Sequence, residues 1–187
     1  MWVGVDETQR IYDGREWKWK DLGIDARGRM VHVLRKSYRA TDKVMRLAVE
    51  FIKRDSALFR ELKEFDIDLN NIDSVRTSND SIKMFVGNEF KHASNIVKEL
   101  LREGYSPGVI YIVNSYQKSL EYYKNSLKRI VREHKIHVVS SNSDKQAKLA
   151  PKDKLLITTY HSIKGLENRV VIVTGISALP YNHSSTA

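Results

Sequence analysis

Short apolar runs alternate along the chain with amphipathic segments of helical period, and this alternation restricts the possible folds more than any other feature. The runs are nearly continuous in Val, Ile and Leu, which is typical of parallel strands buried on both faces. They lie at 31–34, 82–86, 108–115, 136–140, 154–160 and 169–176. Helices are predicted between them at 41–54, 87–105 and 117–134. The sequence therefore predicts an α/β fold with a parallel sheet of about six strands and helices on both faces.

The ends of two of these helices carry recognisable capping residues. Thr41 is the expected N-cap of the first helix, and Gly104 is expected to end the second. Residues 55–80 mix charged side chains with Asn, Asp and Ser, which favours a short helix followed by an irregular connection.

The composition excludes several kinds of site and several locations. The sequence has no cysteine, which excludes a disulfide framework, a thiolate zinc site, an iron–sulfur cluster and a cysteine nucleophile. It has no histidine cluster either, so no metal site is predicted. No apolar run approaches the roughly 18 to 20 residues of a membrane span, and the first residues lack the layout of a signal peptide. We therefore expect a cytoplasmic protein without a membrane partner.

Positive charge is concentrated in the second part of the chain. Residues 71–187 contain 17 Lys and Arg against 10 Asp and Glu, and residues 116–154 contain ten against four. A basic surface of this kind commonly contacts the phosphates of a polyanion. Charge alone leaves two interpretations open, namely nucleic-acid binding and an ordinary solvated helix surface.

Three further segments carry recognisable motifs, although a phosphate-binding loop of the form GxxxxGK[ST] is absent from the sequence. VGVDETQRIYDGREW begins at residue 3, LRKSYRATDKV at residue 34 and ITTYHSIKGLENRVVIV at residue 157. In this order and spacing they resemble motifs III, IV and V of the UvrD/Rep-like superfamily 1 DNA helicases. The resemblance covers residues 3–175, and its most specific part is TTYHSIKGLE.

The resemblance implies a RecA-like fold, of the P-loop NTPase type, and a particular place in a larger enzyme. Residues 31–187 would form the second RecA-like domain of an ATP-dependent DNA helicase, truncated before motif VI, and residues 1–30 would be the tail end of the first. Because the Walker A, Walker B and motif VI sequences are absent, the chain is expected to be a fragment that hydrolyses no ATP alone. ATP and Mg²⁺ would bind in the parent enzyme, between this domain and the first RecA-like domain of the same polypeptide.

The same resemblance assigns five residues to the nucleotide. Gln9 would sense the γ-phosphate, and Arg39 would be the arginine finger whose planar donors stabilise charge in the transition state. Tyr38 would stack on the adenine, Glu167 would accept hydrogen bonds from the ribose, and Gly165 would permit close approach of the backbone. A surface cap at the start of a helix is the alternative interpretation of Tyr38 and Arg39.

Single-stranded DNA, or a DNA duplex junction, is the partner that the resemblance implies. Aromatic side chains stack on bases without sequence preference, and the turn after a strand exposes groups that can hold a phosphate. The residues assigned to DNA are Tyr12, Trp17, Thr158, Thr159, His161 and Ser162. Trp17 has an alternative interpretation as a partly buried anchor.

Two other functions remain open from the sequence. One is a non-catalytic RecA-like module that binds nucleic acid or a protein partner, and the other is a translocase that works on RNA. Gln9, Arg39 and Glu167 favour the enzyme, because a scaffold has no need of three phosphate and ribose ligands.

Overall fold

The computed structural model describes residues 23, 36–56, 59–60, 73–77, 82–140 and 150–176. These residues belong to two compact units, Met1–Met84 and Phe85–Ala187. The apolar run predicted as a strand at 31–34 lies outside the described residues, as does the motif III segment.

In its described residues, the first unit contains two parallel strands and one long helix. Strand β1 (Lys36–Thr41) pairs with β2 (Asp73–Arg76), and helix α1 (Asp42–Arg54) follows β1 directly. Thr41 occupies the predicted N-cap position, but its side chain makes no capping hydrogen bond.

Strand β2 lies in the segment predicted to be irregular, so that prediction is wrong for these four residues. Their sequence, DSVR, has no apolar run that would mark a strand. The strand forms through long-range contacts, because the Ser74 hydroxyl donates to the Ala40 carbonyl at 2.6 Å and the backbone pairs with β1.

The second unit is a four-stranded parallel sheet with helices. Its helices are α2 (Glu89–Arg102) and α3 (Leu120–Leu127), and short 3₁₀ turns occupy Pro107–Val109, Gln117–Ser119 and Glu133–Lys135. Its strands are β3 (Ile110–Asn114), β4 (Ile136–Val138), β5 (Leu155–Thr159) and β6 (Val170–Thr174). Their order across the sheet is β4-β5-β3-β6, and every pairing is parallel. The predicted α/β class with parallel strands is confirmed, with described sheets of two and four strands.

Burial in this unit follows the apolar pattern of the sequence. All five residues of β5 are buried, as are four of the five in β3. One face of the sheet packs on α2 and α3 through Val97, Leu120, Tyr123 and Leu127. On the other face, Leu156 and Val139 pack with partly buried side chains of Tyr111, Ala150 and Leu166.

Two predicted elements differ from the structure in this part of the chain. Residues 82–86 form no strand and are exposed, and helix α2 begins directly after them with Asn88 as its N-cap. The helix predicted at 117–134 ends at Leu127, and the amides of Ile130 and Val131 both donate to the Leu127 carbonyl at 2.8 Å in the turn that follows.

None of the helices in the described residues combines the length and hydrophobicity that a membrane crossing requires.

Candidate functional site

Three polar residues end the three adjacent strands β5, β3 and β6 at the same level of the sheet. Asn114 is in register with Thr159 on one side and with Thr174 on the other. All three side chains are buried. Ligands of open parallel α/β sheets bind outside the carboxyl ends of the strands. This row of side chains therefore forms the floor of the candidate site.

Asn114 is the centre of the hydrogen-bond network in the floor. Its side chain is fully buried, and both the nitrogen and the oxygen of its amide form hydrogen bonds. The Nδ2 group donates to Thr174 Oγ1 at 2.9 Å and to the Tyr123 hydroxyl at 3.4 Å. The Oδ1 atom accepts from the Tyr116 backbone N–H at 2.7 Å. Thr174 Oγ1 in turn donates to the Val113 carbonyl at 3.0 Å. The network fixes the ends of β3 and β6 relative to helix α3.

The turn after β5, residues 160–167, is built on the hydroxyl and carbonyl of Thr159. Thr159 Oγ1 lies 3.1 Å from Ser162 Oγ and accepts from the Ser162 N–H at 3.4 Å. The Ile163 N–H donates to the Thr159 carbonyl at 3.2 Å. Gly165 has a φ of 78°, a left-handed conformation that glycine adopts at little cost, and the space beside it is open. The result is a tight turn whose second half is accessible from solvent.

The structure brings six of the predicted residues together in this one strand and turn: Thr158, Thr159, His161, Ser162, Gly165 and Glu167. Glu167 and Gly165 are exposed, and His161 is half-buried. The Thr158 hydroxyl donates to the Val139 carbonyl at 3.3 Å. The hydroxyls of Thr158, Thr159 and Ser162 are therefore engaged inside the fold, where they hold the turn. Their assignment as direct DNA contacts stays a prediction.

The other predicted site residues lie elsewhere or outside the described residues. Tyr38 and Arg39 lie in strand β1 of the first unit, and not at the start of a helix as the sequence predicted. Tyr38 is 74% exposed, so its ring is accessible for stacking. Gln9, Tyr12 and Trp17 lie outside the part of the chain that the structure describes.

Sequence reasoning missed Asn114 and Thr174, and also four residues that complete the floor of the site. Glu89, in the first turn of α2, accepts from the Gly175 N–H at 2.7 Å through its carboxylate. The Tyr160 hydroxyl donates to the Thr174 carbonyl, and the Ser115 hydroxyl donates to the Gly175 carbonyl at 3.1 Å. A Cβ atom on Gly175 would lie 2.7 Å from Ser115 Oγ, so a larger residue does not fit there. The available signal for Ser115, Tyr160 and Gly175 was their position directly after an apolar strand, whereas Glu89 begins a helix and had no such signal.

Burial also changes the acidity of two tyrosines in the floor. Burial, with the nearby carboxylate of Glu89, raises the pKa of Tyr160 to about 12. Burial is also the main cause that raises the pKa of Tyr123. Among the described residues there is no group of three or more His, Cys, Asp or Glu that could hold a metal ion. The floor is thus uncharged apart from Glu89.

We expect the stability of the second unit to fall as the pH rises above the ordinary tyrosine pKa of 10. The unfolded chain releases the Tyr123 and Tyr160 protons at this pH, while the folded chain keeps them, so proton release favours unfolding. Urea unfolding monitored by circular dichroism at a series of alkaline pH values measures this loss. Tyr160→Phe should make the pH dependence shallower, and an unchanged dependence would contradict the assignment of Tyr160.

Comparison with known proteins identifies no family for this chain. The chain matches no protein-family model, and no curated protein is significantly similar to it.

Proposed function

We propose that this chain supplies the second RecA-like domain of an ATP-dependent DNA helicase of the UvrD/Rep-like superfamily 1. The observation that supports this most is the position of TTYHSIKGLE. This segment forms the end of buried strand β5 and the turn that follows it, beside the polar floor of Asn114 and Thr174. That edge of a parallel sheet is where ligands of α/β proteins bind.

The proposed fold is a RecA-like parallel sheet of about six strands over residues 31–187, and residues 1–30 would belong to the first RecA-like domain. The four parallel strands of the second unit support this fold.

In the proposed ATP site, this chain would supply four residues that contact the nucleotide. The carboxylate of Glu167 is exposed two residues after Gly165, which fits an acceptor for ribose hydroxyls. Arg39 would stabilise charge on the γ-phosphate, Tyr38 would stack on the base, and Gln9 would sense the phosphate. Mg²⁺, when bound with ATP, would neutralise phosphate charge, and its ligands would come from the phosphate-loop domain.

Single-stranded DNA would contact the turn at residues 160–167. Lys164 supplies a positive charge in this turn, and Gly165 lets a phosphate approach the backbone closely. Contacts of this kind carry no sequence information, which suits a protein that moves along DNA.

We expect the chain to bind oligothymidine weakly and with strong salt dependence. Each phosphate contact on a single strand contributes about −0.7 to the slope of log affinity against log salt. Lys164→Gln should therefore make the slope shallower by about 0.7, measured by fluorescence anisotropy at several salt concentrations. Lys152→Gln is the matched control. It removes the same charge from an exposed position before the start of β5, at the opposite end of the strand from the turn. Tight, salt-insensitive or strongly sequence-selective binding would contradict the proposal.

A further inference from the structure

A basic surface distinct from the turn at residues 160–167 lies on helix α2 and on the segment that follows α3. Five residues line a groove of about 390 Å³ there, namely Lys98, Leu101, Arg102, Arg129 and Ile130. The three cationic side chains are exposed, and the two aliphatic side chains between them are half-buried. The groove thus has a small apolar base, and positively charged side chains surround it.

None of these three cations has an ion pair or a side-chain hydrogen bond in the described part of the chain. Nearby lysines differ in this respect. Lys124 pairs with Glu133 at 3.4 Å, and Lys135 pairs with Asp153 at 2.6 Å. Like charges that share a groove repel one another, and an anionic ligand would relieve that repulsion.

The groove is separate from the candidate site at the carboxyl ends of the strands. Helix α2 begins at that edge, where Glu89 bonds the amide of Gly175 after β6. Arg102 is the last residue of α2, and the rise of a helix places it about 20 Å along the axis from Glu89. One ligand phosphate therefore cannot contact both places.

We propose that this groove binds the phosphate backbone of a single nucleic-acid strand, as a contact additional to the turn at residues 160–167. Lys98 and Arg102 lie one helical turn apart on the same face of α2, which presents their charges in a row. Two of the three cations are arginines, whose planar donors match phosphate oxygens in pairs.

The lining of the groove favours nucleic acid over an acidic peptide. No aromatic side chain lines it, so nothing there anchors a large peptide side chain, and a nucleic-acid strand would be held by its phosphates and not by its bases. Leu101 and Ile130 offer a small apolar area, whereas phosphate binding needs charge alone. The choice of nucleic acid as the ligand rests on the proposed function.

The test compares oligothymidine binding by the full chain and by the triple variant Lys98→Ala, Arg102→Ala, Arg129→Ala. We expect the variant to bind about tenfold or more weakly at low salt, with a slope shallower by about 2, because three phosphate contacts are lost. The matched control is Lys43→Ala, Arg46→Ala, Arg54→Ala, which removes the same charge from exposed positions on α1. The control should keep its affinity within about twofold. Circular dichroism checks that both variants are folded, and Arg129→Gln alone should give a smaller loss of the same sign.

Each outcome of this test has one meaning. If the chain binds DNA and Lys164→Gln weakens binding, but the groove variant binds like the parent chain, the groove proposal is overturned and the proposed function stands. If the groove variant and the α1 control lose affinity equally, general charge explains the binding and the groove proposal is again overturned. If the unmodified chain binds no DNA, both proposals fail. Loss of polyglutamate binding without loss of DNA binding would assign the groove to an acidic protein partner instead.

Discussion

Replacing Asn114 with leucine is expected to lower the free energy of unfolding by about 3 kcal/mol. Leucine has the same branching at Cγ and is larger, so the change removes hydrogen bonds without opening a cavity. The backbone N–H of Tyr116 and the hydroxyls of Tyr123 and Thr174 lose their bonds to the amide. The Tyr116 N–H loses its acceptor and the two hydroxyls lose a donor, and a buried polar group left without its partner costs roughly 1 to 3 kcal/mol, which sets the size of the effect. Urea unfolding followed by circular dichroism measures it.

The same substitution at an exposed asparagine is the matched control. Asn95 lies on the exposed side of helix α2, so Asn95→Leu should change the free energy of unfolding by less than about 0.5 kcal/mol. An equal loss in the two variants would show that the Asn114 network adds nothing beyond an ordinary surface position, and the account of the site floor would be wrong.

Truncation of Ile112 is expected to cost about 4 kcal/mol of unfolding free energy. Ile112 lies on the central strand β3, directly in register with Ile157 of β5 and Ile172 of β6. All three are buried and belong to the cluster covered by α2 and α3. Ile112→Ala therefore leaves a cavity in the middle of a close-packed layer, where neighbours on both sides are held by strand pairing.

Two milder variants show whether packing causes the loss. Ile112→Val removes one methylene group and should cost about 1 kcal/mol. Val171→Ala truncates a side chain of β6 that is 46% exposed, and should cost less than about 1 kcal/mol. If Ile112→Ala costs no more than Val171→Ala in urea unfolding, the layer of isoleucines is not the core of this unit.

The sequence was most informative where strands are buried on both faces. The apolar runs that contain β3 and β5 were recognised because burial on both faces leaves no polar alternation along the strand. The run that contains β6 was recognised from its Val and Ile residues alone, since Val171 and Val173 are exposed. Helix α2 was recognised from its apolar stripe, in which Ala93 and Val97 are buried. These signals are local, so single stretches of sequence contain them.

Features that depend on distant contacts could not be predicted in this way. Strand β2 is polar and forms by pairing with β1, which lies more than 30 residues earlier in the chain. The apolar run at 82–86 forms no strand, because apolar composition does not supply a neighbouring strand to pair with. Asn114 is part of an apparently ordinary strand end, and its role arises from Thr174, 60 residues later.

The candidate site was predicted in part by its motif. TTYHSIKGLE correctly marked a turn at the end of a strand, and a motif of that kind is a local feature. The motif gave no information on which hydroxyls are used inside the fold, because the bonds to Val139 and within the turn depend on the folded geometry. Glu89 and Tyr160 complete the floor through contacts that no spacing rule indicated.

The most direct test of the central claim is an amide NMR titration of the isotope-labelled chain with oligothymidine. The claim is that the turn at residues 160–167 contacts single-stranded DNA. The account predicts that the amide signals of this turn shift as DNA is added, and that they still shift in the triple variant of the basic groove. DNA-dependent shifts that leave residues 160–167 unchanged, or a spectrum unaffected by DNA, would contradict the claim.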